Sequence, residues 1–394
     1  MSFLMQLFGG GGSLQTPHGG GVMWQGGYST DSGSAVSEWN AATIPAVYAC
    51  VGIISDAIAQ LPIKVYRRGR NGRREHVEGH PVEEILNHRP NRRMTAFSFR
   101  KTQLSHTLLW GNSYAHPQRT RGGEMLGLWL ALPDRTQPVL TEDGDVLYRT
   151  TLDGEHAEFD SGEMLHIPGM SFDGVVGYSP VATARQAMGL AKAQEAYGAR
   201  FFGNDAKSGG FIKHPGRLSE EAQKNLRESM ERQGGPENAH RVKILEEGME
   251  YMQTTINPED AQFLESRDFQ VAEIARIYRV PLHMIQSVSG STSWGSGIAE
   301  MSMGFVRFTL APWMTPLEQE YRNKLLTQRE WDEGYYIQHD TSDLLRGDIT
   351  DRAAYYTQAL DPETGWLSRE EVRAAEDRDP EDDNGEQGNG VERV

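Results

Sequence analysis

Two stretches of the sequence read as long helices, and they set the frame into which the rest of the chain must fit. In residues 179–203, Ser179 offers an N-cap, Pro180 takes the first helical position, and Ala-rich sequence follows with Gly189 and Gly198 as its weak points. Residues 257–280 open on Asn257, Pro258, Glu259 and Asp260, repeat Leu264, Val271, Ile274, Ala275 and Tyr278 on one face, and stop at Pro281. Between them come a predicted strand over 210–213, a helix opened by Ser219, a Gly-Gly-Pro turn, and strands over 242–245 and 249–254. Two such helices, if antiparallel, form a stalk with a small α/β module at its tip.

The remaining sequence adds a mixed α/β domain and two unusual segments. Residues 1–40 are rich in Gly, Ser and Gln and too poor in apolar groups to repay their ordering entropy, so a flexible arm is expected. Ile44, Val47, Tyr48, Val51, Ile54, Ile58 and Leu61 follow helical spacing and predict one buried helix face. A strand at 62–66 and further strands near 125–132, 145–152 and 164–167 complete a domain that ends near Tyr178. Residues 61–101 form a basic belt, with eleven Lys and Arg against four Glu. Nine of the twelve residues 286–297 are Ser, Thr or Gly and none is charged, which predicts a mobile polar loop around Trp294. Met301, Phe305, Phe308, Trp313, Leu317, Tyr321 and Leu325 then recur at helical spacing around Pro312 and Pro316, predicting a helix kinked in its middle. A strand at 335–338 and helices from near Gly347 and Ser368 precede an acidic end. Residues 328–394 hold nineteen Asp and Glu against seven Arg.

Charge and cysteine content narrow the function classes. The chain of 394 residues carries a net −16, which disfavours a nucleic-acid binder with a generally basic surface. One cysteine, Cys50, excludes an internal disulfide or a multi-cysteine zinc module, and an intracellular origin fits best. The apolar stretch from Ile44 to Ile63 is interrupted by Ser55, Asp56 and Gln60 and bounded by Pro45 and Pro62, so a soluble chain without a membrane span is expected. No Lys or Arg occurs in the first sixty residues, so the cationic start of a secretory signal is missing.

Tests for catalytic chemistry fail one by one. Around Lys207 and Ser208, Ala206 replaces the glycine that a phosphate loop requires, and a predicted helix precedes rather than follows. His76 and His80 have metal-ligand spacing around Glu78, but Gly79 and Pro81 spoil the helix, leaving two solvated histidines as the expectation. Gly177, Tyr178, Ser179, Pro180 and Val181 approach a nucleophile elbow without its second glycine, and Ser179 reads better as a cap. Cys50 reads as a buried core thiol. No catalytic, cofactor-binding or metal residue is assigned, and a non-enzymatic assembly protein is the leading class.

A series of ordered marks identifies a resemblance. They are Val47 to Pro62 with the Tyr66 strand, Pro90-Asn91, Trp110-Gly111-Asn112-Ser113-Tyr114-Ala115, His166-Ile167, Asp173-Gly174, Gly177-Tyr178-Ser179-Pro180, Phe201-Phe202-Gly203-Asn204, Gly235-Pro236-Glu237-Asn238-Ala239, Asp260-Ala261-Gln262-Phe263-Leu264-Glu265, Glu273-Ile274-Ala275-Arg276, Val280-Pro281, Leu310-Ala311-Pro312 and Leu344-Leu345-Arg346-Gly347-Asp348. From about Val47 to Arg373 the chain resembles the portal, or head-to-tail connector, family of tailed double-stranded DNA bacteriophages, in its shorter long-tailed-phage branch.

The resemblance implies an α+β portal fold with an α/β wing, a two-helix stem, a small α/β clip, a tunnel loop with a kinked wing helix, and a helical crown. It places the wing at 41–178 and 298–340, stem helices at 179–203 and 257–285, the clip at 204–256, the tunnel loop at 286–297 and the crown at 341–378, before an acidic tail at 379–394. The implied partners are further copies in a dodecameric ring at one capsid vertex, double-stranded DNA passing non-specifically, the large terminase subunit, a major capsid or scaffold protein, and a head-completion or neck protein. Ser287, Ser289, Gly290, Ser291, Thr292, Ser293, Trp294, Gly295 and Ser296 would face the DNA from the tunnel loop. Arg185, Lys192, Arg200, Arg267 and Arg276 are candidate stem residues for the pore, or for pairing between neighbours. Lys213, Arg217, Lys224, Arg227 and Arg232 are candidates for clip docking.

A neutral constriction suits such a passage, because each phosphate neutralised by Lys or Arg adds sequence-independent affinity. Two rivals are an adaptor or scaffold ring without DNA passage, and a hydrolase with Ser179 as nucleophile.

Overall fold

The computed structural model describes residues 27–69, 72–152, 154–203, 210–214, 216, 218–232, 249–253, 260–285, 296–341 and 349–375. Their contacts divide the chain into two compact units, one within 1–291 and 307–340, the other within 292–306 and 341–394.

The first unit combines helices with four small antiparallel sheets, and helices pack on two of them. Short α1 (Glu38–Ala41), capped by Ser37 and Asn40, leads into α2 (Pro45–Ala59), with Pro45 at its first position. Ile44, Val47, Val51, Ile54, Ile58 and Leu61 are buried as the spacing predicts. Tyr48 is not: it is 71% exposed, because a residue one step from Val47 is turned ~100° away from the stripe.

Strands β1 (Ile63–Arg68) and β2 (Arg74–His76) form a hairpin, followed by α3 (Pro81–Asn87) and α4 (Ala96–Trp110). Buried Arg100 on α4 donates to the carbonyls of Ile58 and Leu61 at 2.7 and 2.6 Å, closing the end of α2. Then come β3 (Asn112–Arg119), β4 (Met125–Ala131), β5 (Gln137–Leu140), β6 (Val146–Leu152), β7 (Glu155–Phe159) and β8 (Leu165–Pro168). They pair in the orders β4-β3-β8 and β5-β6-β7. The Pro90-Asn91 pair lies along β4: Leu128 N–H donates to the Pro90 carbonyl at 2.7 Å, and the Asn91 amide returns a bond to the Leu128 carbonyl at 2.8 Å.

The first long helix is broken near its start into α5 (Pro180–Thr183) and α6 (Arg185–Gly203). Strand β9 (Gly210–Lys213), helix α7 (Glu220–Arg232) and strand β10 (Glu250–Gln253) follow, with β9 and β10 paired antiparallel. The strand expected at 242–245 lies outside the described residues. Helix α8 (Asp260–Tyr278) packs against α6 and α2, burying Ile274, Ala275 and Tyr278.

Helix α9 (Ser296–Phe305) belongs to the second unit, and the chain returns to the first through a π turn at Val306–Leu310 and α10 (Ala311–Leu325), with Pro316 inside the latter. The π turn widens the hydrogen-bonded loop by one residue and shifts the apolar register. Phe308 is therefore 67% exposed, and Met314 rather than Trp313 is buried beside Leu317, Tyr321 and Leu325. Short α11 (Gln328–Asp332) and β11 (Tyr335–His339) complete this unit, and β11 joins the first hairpin in the order β11-β1-β2.

Besides α9, the second unit contains helices Ile349–Ala359 and Arg369–Ala375. Ser368 and Glu371 form the capping box that the sequence predicts, and Trp366 packs edge-on against Tyr355.

Candidate functional site

The tunnel-loop candidates Ser287, Ser289, Gly290, Ser291, Thr292, Ser293, Trp294 and Gly295 lie outside the described residues, and Ser296 begins α9. The cationic stem candidates do not form a uniform charged row. Arg185 donates to the Ala182 carbonyl at 3.0 Å, and Lys192 donates to the Ala35 carbonyl at 2.9 Å. Arg276 pairs with Glu273, while Arg200 and Arg267 are exposed. Among the clip candidates, Lys213 faces Glu250 across the β9-β10 ribbon at 3.8 Å, and Lys224 and Arg227 are exposed on α7. Arg217 and the side chain of Arg232 lie outside what the structure describes. Among the described residues neither set comes together as one constellation.

What the fold does bring together is a junction between segments far apart in the chain. Gly111 closes α4 in the left-handed conformation, φ +79°, and its carbonyl accepts from Gly169 N–H at 2.7 Å. Gly177 lies so close that a Cβ there would sit 2.0 Å from the Gly111 oxygen, and a Cβ on Gly111 would sit 2.2 Å from the Tyr178 oxygen. Asn112 clamps the same loop segment: its Oδ1 accepts from Gly177 N–H, and its Nδ2 donates to the Gly177 carbonyl, both at 2.8 Å. His166 Nε2 is 3.0 Å from the same Oδ1, so that nitrogen carries the proton, and Tyr148 OH donates to Nδ1 at 3.1 Å. Burial pushes His166 down to about 3, with Lys324 adding to the shift and Asp173 opposing it.

Ser179 completes this junction. Its Oγ accepts from Ala182 N–H at 3.0 Å and lies 2.9 Å from the Leu109 carbonyl and 2.7 Å from Glu38 Oε1. The hydroxyl is buried and used as a helix cap, which is the geometry of a structural bolt rather than of an activated nucleophile. Burial alone pushes Cys50 up to about 12. His80 corrects the expectation of a solvated residue: it is 8% exposed, accepts from Val82 N–H at the start of α3 and lies 3.0 Å from Glu330. His76 instead contacts Glu83 at 2.8 Å, so the two histidines face different partners. Among the described residues no cluster of three or more His, Cys, Asp or Glu could hold a metal, and no helix is long and apolar enough to cross a membrane.

The basic belt resolves into distinct environments. Arg92 and Arg93 lie over Trp129, and Lys101 pairs with Asp56 at 2.6 Å. On the sheet β11-β1-β2, Tyr66 and Tyr336 stack at 5.5 Å, with Arg74 over Tyr66 and Arg68 over Tyr336. Sequence reasoning could not see this cluster as a unit, because β11 comes from the far end of the chain.

The phage portal protein family profile matches residues 45–377. The chain belongs to that family. It is 33% identical over 375 residues to the portal protein of Enterobacteria phage HK97, covering 94% of this chain and 87% of the relative. It is 36% identical over 360 residues to a probable portal protein of Streptomyces phage phiC31, covering 89% and 78%. Among solved structures, a chain from the neck of a native gene transfer agent particle computed with C12 symmetry superposes with a TM-score of 0.61 at 22% identity, covering 96% of this chain and 98% of that one. An HK97-family phage portal protein from Corynebacterium diphtheriae superposes with a TM-score of 0.57 at 17% identity over 79% and 97%. The fold is thus the α+β portal fold, and the chain is a portal protein whose family role is that of a ring with a channel. The portal marks at Trp110–Asn112 and 177–180 are the residues of the junction above, where they fix one backbone crossing.

Proposed function

We propose that twelve copies of this portal protein close into a ring at one vertex of a virion, and that double-stranded DNA passes through it during packaging and ejection. The observation that carries the reading is a family match running from α2 to the last helix, with likeness to a neck structure of twelvefold symmetry. In this reading residues 41–178 and 298–340 are wing, 179–203 and 257–285 stem, 204–256 clip, 286–297 tunnel loop and 341–378 crown. The uncharged tunnel loop keeps the narrowest edge free of phosphate-neutralising groups. The exposed Lys213, Lys224 and Arg227 are available on the clip for the large terminase subunit and later for a head-completion or neck protein. A capsid or scaffold protein would meet the ring during head assembly in the bacterial cytoplasm.

Negative-stain images of purified protein should show rings with an open axial hole; a solid ring would favour an adaptor or scaffold, and a chain that stays monomeric under all conditions ends the proposal. Deleting residues 289–295 should leave rings intact and impair DNA packaging or retention. Loss of rings instead would remove the loop assignment.

A further inference from the structure

The sheet β11-β1-β2 treats charge differently on its two faces. On one face the cross-strand neighbours Arg67 and Glu75 form an ion pair at 3.0 Å. One residue further, on the opposite face, the cross-strand neighbours are Arg68 and Arg74. Like charges placed directly opposite on paired strands destabilise a sheet, so this pair needs a reason. Neither guanidinium has a carboxylate partner among the described residues. Arg68 lies 5.8 Å from the Tyr336 ring centre and Arg74 lies 4.8 Å from that of Tyr66, so each guanidinium sits against one ring of the tyrosine pair. The nearby acids are engaged elsewhere: Asp340 pairs with Lys64 at 2.8 Å, and Glu318 meets His339 at 2.8 Å. The two arginines border an open cleft that Gly72, Glu318, Tyr336, Ile337 and Gln338 also line. Both arginines are exposed, and a guanidinium stacked on a ring keeps its N–H edge for a second, anionic partner.

We propose that Arg68 and Arg74, held by the Tyr66–Tyr336 stack, form a phosphodiester-binding site, and that its occupant is the backbone of double-stranded DNA at a place separate from the tunnel loop. One carboxylate is saturated by a single guanidinium fork, whereas a strand offering a charge every ~3.4 Å of axis meets two forks on adjacent strands of a sheet. The choice of DNA rests on the portal reading, which supplies that polyanion; the uncompensated arginine pair does not.

The test is binding of the full chain to a short fluorescent DNA duplex, by anisotropy, across a salt titration. The double variant R68Q/R74Q should lower the slope of log affinity against log salt by about 1.8, at about 0.9 for each phosphate no longer neutralised, and weaken binding at least about tenfold at low salt. R68K/R74K, which keeps both charges, should retain the slope. R149Q/R329Q removes the same charge from two exposed ion-paired arginines and should leave the slope unchanged. A wild-type slope in R68Q/R74Q, or an equal fall in R149Q/R329Q, overturns the site. Poly-glutamate competing as well as unlabelled duplex, and losing that ability in the same variant, overturns DNA as the occupant. Ring imaging keeps the two readings apart. Open rings with an unchanged slope remove this site alone, and a lowered slope in a chain that never closes into rings removes the portal assembly alone.

Discussion

Gly177→Ala tests the junction most directly, because the usual effect of that substitution has the opposite sign. Replacing glycine by alanine in a backbone conformation open to both stabilises a protein by about 0.4–1 kcal/mol through the unfolded state. At Gly177 the added carbon would meet the Gly111 carbonyl oxygen at 2.0 Å and the Gly169 nitrogen at 2.6 Å, and both are backbone. Relief requires the loop segment around Gly177 to retreat, which stretches the Gly177 bond to Asn112 and the 2.7 Å bonds Gly169 N–H to Gly111 and Tyr178 N–H to Met170. Overpacking costs about 1–3 kcal/mol and each weakened bond about 1 kcal/mol, so the net loss should be about 4 kcal/mol. Urea unfolding of the purified chain, followed by circular dichroism, reads this as a fall in midpoint at unchanged slope. Gly52→Ala is the control: Gly52 lies inside α2 with nothing within 4 Å of its added carbon, so that variant should gain about 0.5–1 kcal/mol. A loss below about 1 kcal/mol at Gly177 would refute the account of the crossing.

Acid should weaken the fold through its buried neutral histidines. Burial holds His166 at about 3 and His106 at about 4, against ~6.5 in the unfolded chain, so the unfolded state binds the extra protons first. Their contribution is complete above pH ~6.5 and disappears as pH falls toward those native values. Each should cost about 2 kcal/mol at pH 5. Glu320, raised by burial, works in the opposite sense. Unfolding midpoints at pH 7.5 and 5.0 check this, and a pH profile unaltered in His166→Gln and His106→Gln would refute it. Arg100→Met should destabilise by about 3 kcal/mol by orphaning the Ile58 and Leu61 carbonyls, and Arg100→Lys by less; thermal melts with no difference between the three proteins would count against the cap.

Local signals carried well where the structure is local. The Ser179 cap with Pro180 at the first helical position and the Ser368–Glu371 box were both legible, because each is settled by residues within one helical turn. Tyr48 and Phe308 mark the limit of periodicity: one lies at the edge of its stripe, and the other sits in a π turn that hydrophobic spacing does not announce. The junction and the arginine–tyrosine face were beyond reach for a different reason. Asn112 meets Gly177 across 65 residues, and Tyr66 meets Tyr336 across the length of the domain. Residues 110–112 and 177–180 stood out in the sequence, but nothing in it says that they touch.

Among the described residues the four sheets contain no more than three strands each, and most of these strands have one side without a described strand beside it. A bare strand side is an invitation to another chain, and a protein that must gather copies of itself meets that hazard at every encounter. The free sides are made unattractive in several ways. Pro138 and Pro168 stand in the outer strands β5 and β8, and β2 is three exposed polar residues long. β7 carries the exposed Glu155, His156 and Glu158, while the loop at Pro90 and Asn91 lies over β4. Self-association through the backbone is thereby discouraged, and the choice of how copies meet is left to side chains, which can specify one geometry where a strand ladder would accept many.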